Sequence, residues 1–256
     1  MSTEHESPIA VIDRVAVLLD AFADTERLTL SELSRRTGFP RSSTHRMLLQ
    51  LINIQWFRRQ DHTYELGMKM LELGSLAQQH DRVHKAAEPI IHELQCTTGM
   101  VVHLAVLDGS DILYLDKIGG RFGMAVPSRV GGRAPAHRTA LGKALLAQTG
   151  ADPITALPER PVAATPNTIA DPAALRREFA RIREQSVAHD HDESLLGVSC
   201  VAAAISDSTT TYGAISVCGP TRTMTSTAMI APVRMAALAT CRRLLGDPRK
   251  HRSLSA

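Results

Sequence analysis

Residues 38–51 read GFPRSSTHRMLLQL, and this stretch decides the fold. A glycine and a proline lead into arginine, three hydroxyl side chains, histidine and a second arginine, after which the run turns aliphatic. A helix beginning at Pro40 buries Met47, Leu48, Leu51 and Ile52 as one stripe. It leaves Arg41, Ser42, Ser43, His45, Arg46 and Gln50 largely on the other side. A helix start that donates hydrogen bonds on one side and is apolar on the other suits contact with an anionic polymer.

Working outward, the upstream segment TLSELSRRTG opens at Thr29 with Glu32 three residues later, the spacing of a capping box. Leu30 and Leu33 point inward, and Gly38 suits a helix stop. Before it, IAVIDRVAVLLDAFA places Val11, Val15, Leu18, Leu19 and Phe22 at helical spacing. Downstream, WFRRQDHTYEL reads as two short alternating runs around a polar turn, a hairpin. Three helices with a short turn between the second and third, then a hairpin, make a winged helix-turn-helix. Its third helix enters the major groove, where arginine and histidine reach guanine edges.

Charge agrees. Arg35, Arg36, Arg41, Arg46, Arg58 and Arg59 occur with no Asp or Glu between Arg35 and Arg59, and acids return on both sides. This local basic window is more informative than the formal net charge of +3. The 256 residues, 44% apolar and 21% charged, fall near globular averages and allow two domains. No apolar run reaches the roughly 18 residues of a membrane span, and the polar start MSTEHESPIAVIDR does not resemble a secretory signal. Cys96, Cys200, Cys218 and Cys241 form no C-x-x-C pair, which fits small thiols in a reducing cytoplasm.

Beyond Gly67 the pattern is helical with an expected interruption at Pro89. Strand-like runs follow in MVVHLAVLDG, DILYLDKIGG, SCVAAAIS and YGAISVCG. Between them lie a helix capped by Thr139 and running to Gly150, and another capped by Asp171 with Leu175, Phe179 and Ile182 inside. A last helix spans about residues 227–245. Strands and helices without a βαβ rhythm indicate an α+β domain with a central antiparallel sheet. The expected divisions are 1–67 for the winged helix, 68–82 for a linker helix, 83–246 for the second domain, and 247–256 for a loose tail. At the capped helix, the N–H groups of Ala140, Leu141 and Gly142 point outward and suit a ligand carboxylate, with Gly142 keeping the approach open; by themselves the same residues equally describe an ordinary capped helix. The helix dipole would add about 0.3–1 kcal/mol.

The segments LSELSRRTGFPRSSTHRMLLQL, TYELG, AHRTALGKALLA, DHDESLLGVSCVAAAI and AISVCGP, in this order over nearly the whole chain, resemble the IclR family of bacterial transcriptional regulators. The resemblance implies a GAF-like effector domain behind the winged helix. It also implies a homodimer or homotetramer that binds double-stranded operator DNA and responds to a small organic acid. DNA contacts are assigned to Arg41, Ser42, Ser43, Thr44, His45 and Arg46 on the recognition helix and to Arg58 and Arg59 on the wing. The family pattern places the effector pocket on Val126, Ala140, Leu141, Asp190, Cys200, Ser216 and Cys218. Three positions depart from the family: Cys218 stands where serine is common, Ala204 where proline is frequent, and Gln55 where glycine precedes the wing.

Other chemistries were weighed. The GKA at 142–144 is not a phosphate loop, because His137 occupies the first glycine position and Ala144 replaces Ser/Thr. His189 and His191 would share a strand face with ligand chemistry suited to zinc. We read HDHDE instead as solvated charge at a helix-to-strand corner, with Asp190 given to the pocket. A thiol enzyme or redox sensor using Cys200 and Cys218 is the rival reading. It needs an activating base, for which His103 and His137 are candidates only by exclusion. The expectation is a repressor in the bacterial cytoplasm, associated with the nucleoid when bound to DNA. No catalytic activity, cofactor, metal or membrane partner is expected.

Overall fold

The computed structural model describes residues 11–150, 152–224 and 226–246, apart from the side chains of Arg121, Met124, Ala125 and Ser226. The tail at 247–256 lies outside them. The chain divides into two compact units, residues 1–79 and 80–256.

The first unit contains α1 (Val11–Asp20), β1 (Leu28–Thr29), α2 (Leu30–Thr37), α3 (Arg41–Asn53), β2 (Phe57–Gln60) and β3 (Thr63–Leu66), then α4 (Met68–His80). The capping box at α2 is complete: Glu32 N–H donates to Thr29 Oγ1 at 3.3 Å, and Thr29 N–H donates to Glu32 Oε2 at 2.8 Å. Gly38 ends the helix at φ 73°. β3 pairs with both β1 and β2 in one antiparallel sheet. Leu18, Phe22, Leu28, Leu33, Leu48, Leu51, Phe57 and Tyr64 form a single buried core, each large apolar side chain contributing about 1.5–3 kcal/mol. Val11 does not join it: it is 70% exposed, and the packed stripe of α1 starts a turn later at Val15. Gln55 holds φ 62° in the turn between α3 and β2.

The second unit opens with α5 (Arg82–Thr98), followed by β4 (Val101–Asp108), β5 (Asp111–Ile118), β6 (Arg133–Pro135), α6 (Ala140–Leu146), α7 (Pro172–Gln185), β7 (Ala188–His191), β8 (Val198–Ser206), β9 (Thr211–Pro220) and α8 (Ser226–Leu245). The helical run after Gly67 breaks at Asp81 and not at Pro89. Asp81 is extended and its carboxylate accepts from His84 N–H at 2.6 Å, starting a new helix. Pro89 and Lys85, whose carbonyl the missing N–H would have met, are both exposed, so the lost bond falls on the solvent side of the helix. α6 is also shorter than expected, its last turn tightening through Gln148 N–H to Leu145 O and Thr149 N–H to Leu146 O.

Six strands form one antiparallel sheet in the order β6-β5-β4-β9-β8-β7. Alternation along the strands separates two faces. Val102, Leu104, Val201, Ala203, Ile205, Ile215 and Val217 pack with α5 and α8. Ala105, Ala202 and Ala214 pack with α6 and α7 through Leu141, Leu145, Leu175, Phe179 and Ile182. By the same alternation His103, Cys200, Ser216 and Cys218 fall on the α6 and α7 face, where the site lies. Among the described residues no helix is long and apolar enough to cross a membrane.

Candidate functional site

The outer side of α3 carries Arg41, Ser42 and Arg46 exposed, with Ser43 and His45 half-buried. Neither Arg41 nor Arg46 is engaged in an ion pair among the described residues, so both guanidinium groups are free for phosphates or base edges. Thr44 does not belong with them. It is 0% exposed, and its hydroxyl donates to Pro40 O at 3.2 Å. Positions 44, 47, 48 and 51 share one helical face, so Thr44 extends the core stripe by a turn. On the wing, Arg58 is the cross-strand partner of Glu65 and meets it at 2.9 Å. Arg59 donates to Asp61 O at 2.8 Å and lies over the Tyr64 ring. Arg36 is bound to Asp24 at 2.7 Å. The basic window is therefore divided between Arg36, Arg58 and Arg59, which are tethered, and Arg35, Arg41 and Arg46, which have no ion pair among the described residues.

In the second unit a cavity of about 240 Å³ opens on the sheet face under α6. All seven residues of the sequence-derived set line it: Val126, Ala140, Leu141, Asp190, Cys200, Ser216 and Cys218. Sequence reasoning missed Tyr114, Ser128, Arg138 and Ser194, and met His103 only as a possible base. His103 is paired directly with Ser216 across β4 and β9. Its Nε2 lies 2.6 Å from Ser128 Oγ and its Nδ1 3.6 Å from Cys218 Sγ. Tyr114 tilts against the His103 ring at 5.2 Å. Burial pushes its phenol above the ordinary range. Lys117 pins the loop carrying Val126 by donating to Val126 O at 2.6 Å and Ser128 O at 2.7 Å.

Thr139 caps α6, but its Oγ1 takes the Gly142 N–H at 2.9 Å, so that donor is not available to a ligand. Ala140 and Leu141, the first two positions of the helix, keep N–H groups without intrahelical partners. Gly142 serves packing instead of access: a Cβ there would stand 2.2 Å from Ala136 O. Lys143, fully buried, reaches Glu193 at 2.5 Å and Glu178 at 3.5 Å. That tie holds the loop after β7 against α6. Asp190 Oδ1 accepts from Glu193 N–H at 2.7 Å and Ser194 N–H at 3.4 Å, and Ser194 Oγ donates to Arg138 O. Burial outweighs these donors and pushes the Asp190 carboxyl up to about 7. HDHDE is thus not a corner: its first three residues lie in β7, with the His189 and His191 rings stacked at 5.3 Å. Burial, and then the neighbouring His191, pulls His189 down to about 4. No group of three metal-ligating side chains occurs among the described residues.

A winged helix with free arginines on its recognition helix, in one chain with a domain whose cavity wall carries several polar groups, defines a ligand-responsive DNA-binding regulator. Residues 11–61 match the IclR helix-turn-helix domain, and residues 76–242 match the pattern described as bacterial transcriptional regulator IclR C-terminal. The chain belongs to the IclR family of transcriptional regulators. It is 35% identical over 199 residues to the regulator XynR of Escherichia coli K12, covering 76% of this chain and 79% of that one. It is 33% identical over 213 residues to the transcriptional repressor IclR of the same organism, covering 79% and 77%. Among solved structures, an IclR homolog from Microbacterium hydrocarbonoxydans complexed with 4-hydroxybenzoate superposes with a TM-score of 0.82 at 26% identity, covering 92% of this chain and 99% of that one.

Proposed function

We propose that the chain is a repressor that binds operator DNA as a homodimer or homotetramer and releases it when a small organic acid fills the cavity of the second unit. The observation that carries this reading is the set of polar groups placed in the otherwise apolar wall of that cavity. Arg138 and the N–H groups of Ala140 and Leu141 offer an anion site, while Asp190, Tyr114 and His103 offer partners for a hydroxyl or carbonyl. The volume of about 240 Å³ is below the roughly 300–1,000 Å³ of drug-sized sites, which favours a compact acid. The 4-hydroxybenzoate held by the Microbacterium relative makes hydroxylated aromatic acids one arm of the panel, beside short aliphatic acids. The chain itself catalyses no reaction in this reading. A second copy is favoured by α4, where Met68, Leu71, Leu73 and Leu76 are exposed and no residue of the helix is buried.

The test is calorimetric titration of the full chain with the acid panel and with the corresponding methyl esters. One acid should bind and its ester should not. Arg138→Gln should weaken the acid by about 10- to 100-fold, the cost of one charge-assisted hydrogen bond. Equal binding of acid and ester would contradict the anion site.

A further inference from the structure

The cavity contains a pair of thiols whose chemistry carboxylate recognition does not use. Cys200 and Cys218 are directly opposed on β8 and β9, so their side chains leave the sheet on the same face, and both line the cavity. Directly opposed residues of an antiparallel pair have Cα atoms about 4.5–5.5 Å apart, within the roughly 4.4–6.8 Å that a disulfide spans. The two thiols are not equivalent. Cys218 Sγ lies 3.6 Å from His103 Nδ1 and 3.6 Å from Ser216 Oγ, and Ser128 holds the far side of the imidazole. The opposed Cys200 thiol, followed by the charge of His103, holds Cys218 well below the usual thiol range. Cys200, half-buried, is raised by the opposed Cys218 first and by desolvation second. A nucleophile and a resolving thiol therefore face each other inside a cavity that admits small molecules.

We propose that Cys200 and Cys218 are a hydroperoxide-reactive dithiol that closes to a cross-strand disulfide inside the cavity. The Cys218 thiolate attacks the terminal oxygen of the hydroperoxide. An S–O bond forms, the O–O bond breaks, and His103 passes the proton it took from the Cys218 thiol to the departing alkoxide. The Cys200 thiol then attacks the sulfenic sulfur, forming the S–S bond and expelling water with its own proton. Two thiols and one hydroperoxide become a disulfide, an alcohol and water. The cross-link removes both thiols from the cavity wall whichever acid the cavity accepts, so it stands apart from the identity of that acid.

The test uses full-length Cys96→Ser protein, which removes the exposed thiol at the end of α5. The protein is treated with hydrogen peroxide, alkylated and digested without reductant for mass spectrometry. A linked Cys200–Cys218 peptide pair should accumulate at least about tenfold faster than oxidation of Cys241, and a dithiol reductant should erase it. In Cys200→Ser, dimedone should trap a sulfenic acid on Cys218. In Cys218→Ser, Cys200 should stay reduced at the same dose. Both thiols remaining fully alkylatable at a dose that oxidises free glutathione would overturn the proposal. So would Cys218 advancing to sulfinic acid without the linked pair. These two outcomes are read on the protein with an unaltered cavity, so failure of a pocket variant to fold does not rescue the idea.

Discussion

Asp190 keeps its proton to about neutral pH because burial opposes charge more strongly than two backbone N–H groups support it. Its folded value of about 7 lies above the ordinary 3.8, so the native state binds the proton more tightly than the unfolded chain. That contribution to stability is full below 3.8 and is lost as pH rises to about 7. His189 acts in the opposite sense: its depressed value makes stability rise between about 4 and 6.5. The difference between wild type and Asp190→Asn isolates the first group. As pH rises from about 4 to about 7, the melting temperature of wild type should fall relative to that of the variant, and parallel curves would refute the assignment. Asp190→Ala should weaken the effector response and leave operator binding largely intact. Because Oδ1 also closes the 190–194 turn, however, Asp190→Asn is the cleaner variant. Gln55 is a second residue under tension. A non-glycine residue at φ 62° costs about 1 kcal/mol or more, so Gln55→Gly should raise unfolding free energy by about that amount in a denaturant titration. An unchanged midpoint would mean the turn is unstrained. Arg46→Ala should cost about 1–3 kcal/mol of DNA binding if the guanidinium spans a guanine edge, as anisotropy against operator DNA would show.

At the scale of elements, α6 is held by a buried cation. Lys143 has no water to fall back on, and Glu193 and Glu178 compensate it. Removing one partner of such a network leaves an unpaired buried charge, so Lys143→Ala should destabilise the second unit by about 3–5 kcal/mol. A loss below about 1 kcal/mol in urea unfolding would show the loop after β7 to be held by other contacts. What could be read ahead of the structure follows from how local each signal is. The capping box of α2, the stripe of α3 and the Asp171 cap depend on spacings of three or four residues, and each formed as written. Thr44 was legible by the same spacing, since it precedes Met47 and Leu48 by three and four positions, but its polar side chain drew it to the wrong face. The short strands β1, β6 and β7 exist only through their pairing partners, and two to four residues carry no periodicity of their own. His103 was visible as a polar residue in an apolar strand. Its place beside Cys218 and Ser128 follows only from the register of β4 on β9 and the loop that Lys117 pins.

For the whole molecule, the claim is one of linkage: a ligand in the second unit and DNA on the first must alter each other's affinity by the same factor. Seven cavity residues scattered over nearly a hundred positions could be assigned together only because the family resemblance supplied their joint placement. No spacing rule connects Val126 to Cys218, and only the folded sheet does. The measurement that tests the account most directly is fluorescence anisotropy of the full chain on the DNA upstream of its own gene. It is made across a salt series, without and with the acid that calorimetry selects, for wild type and Asp190→Asn. The account predicts tight, steeply salt-dependent binding that one acid weakens in wild type and affects much less in the variant. An acid that fills the cavity while leaving operator affinity unchanged in both proteins would contradict it.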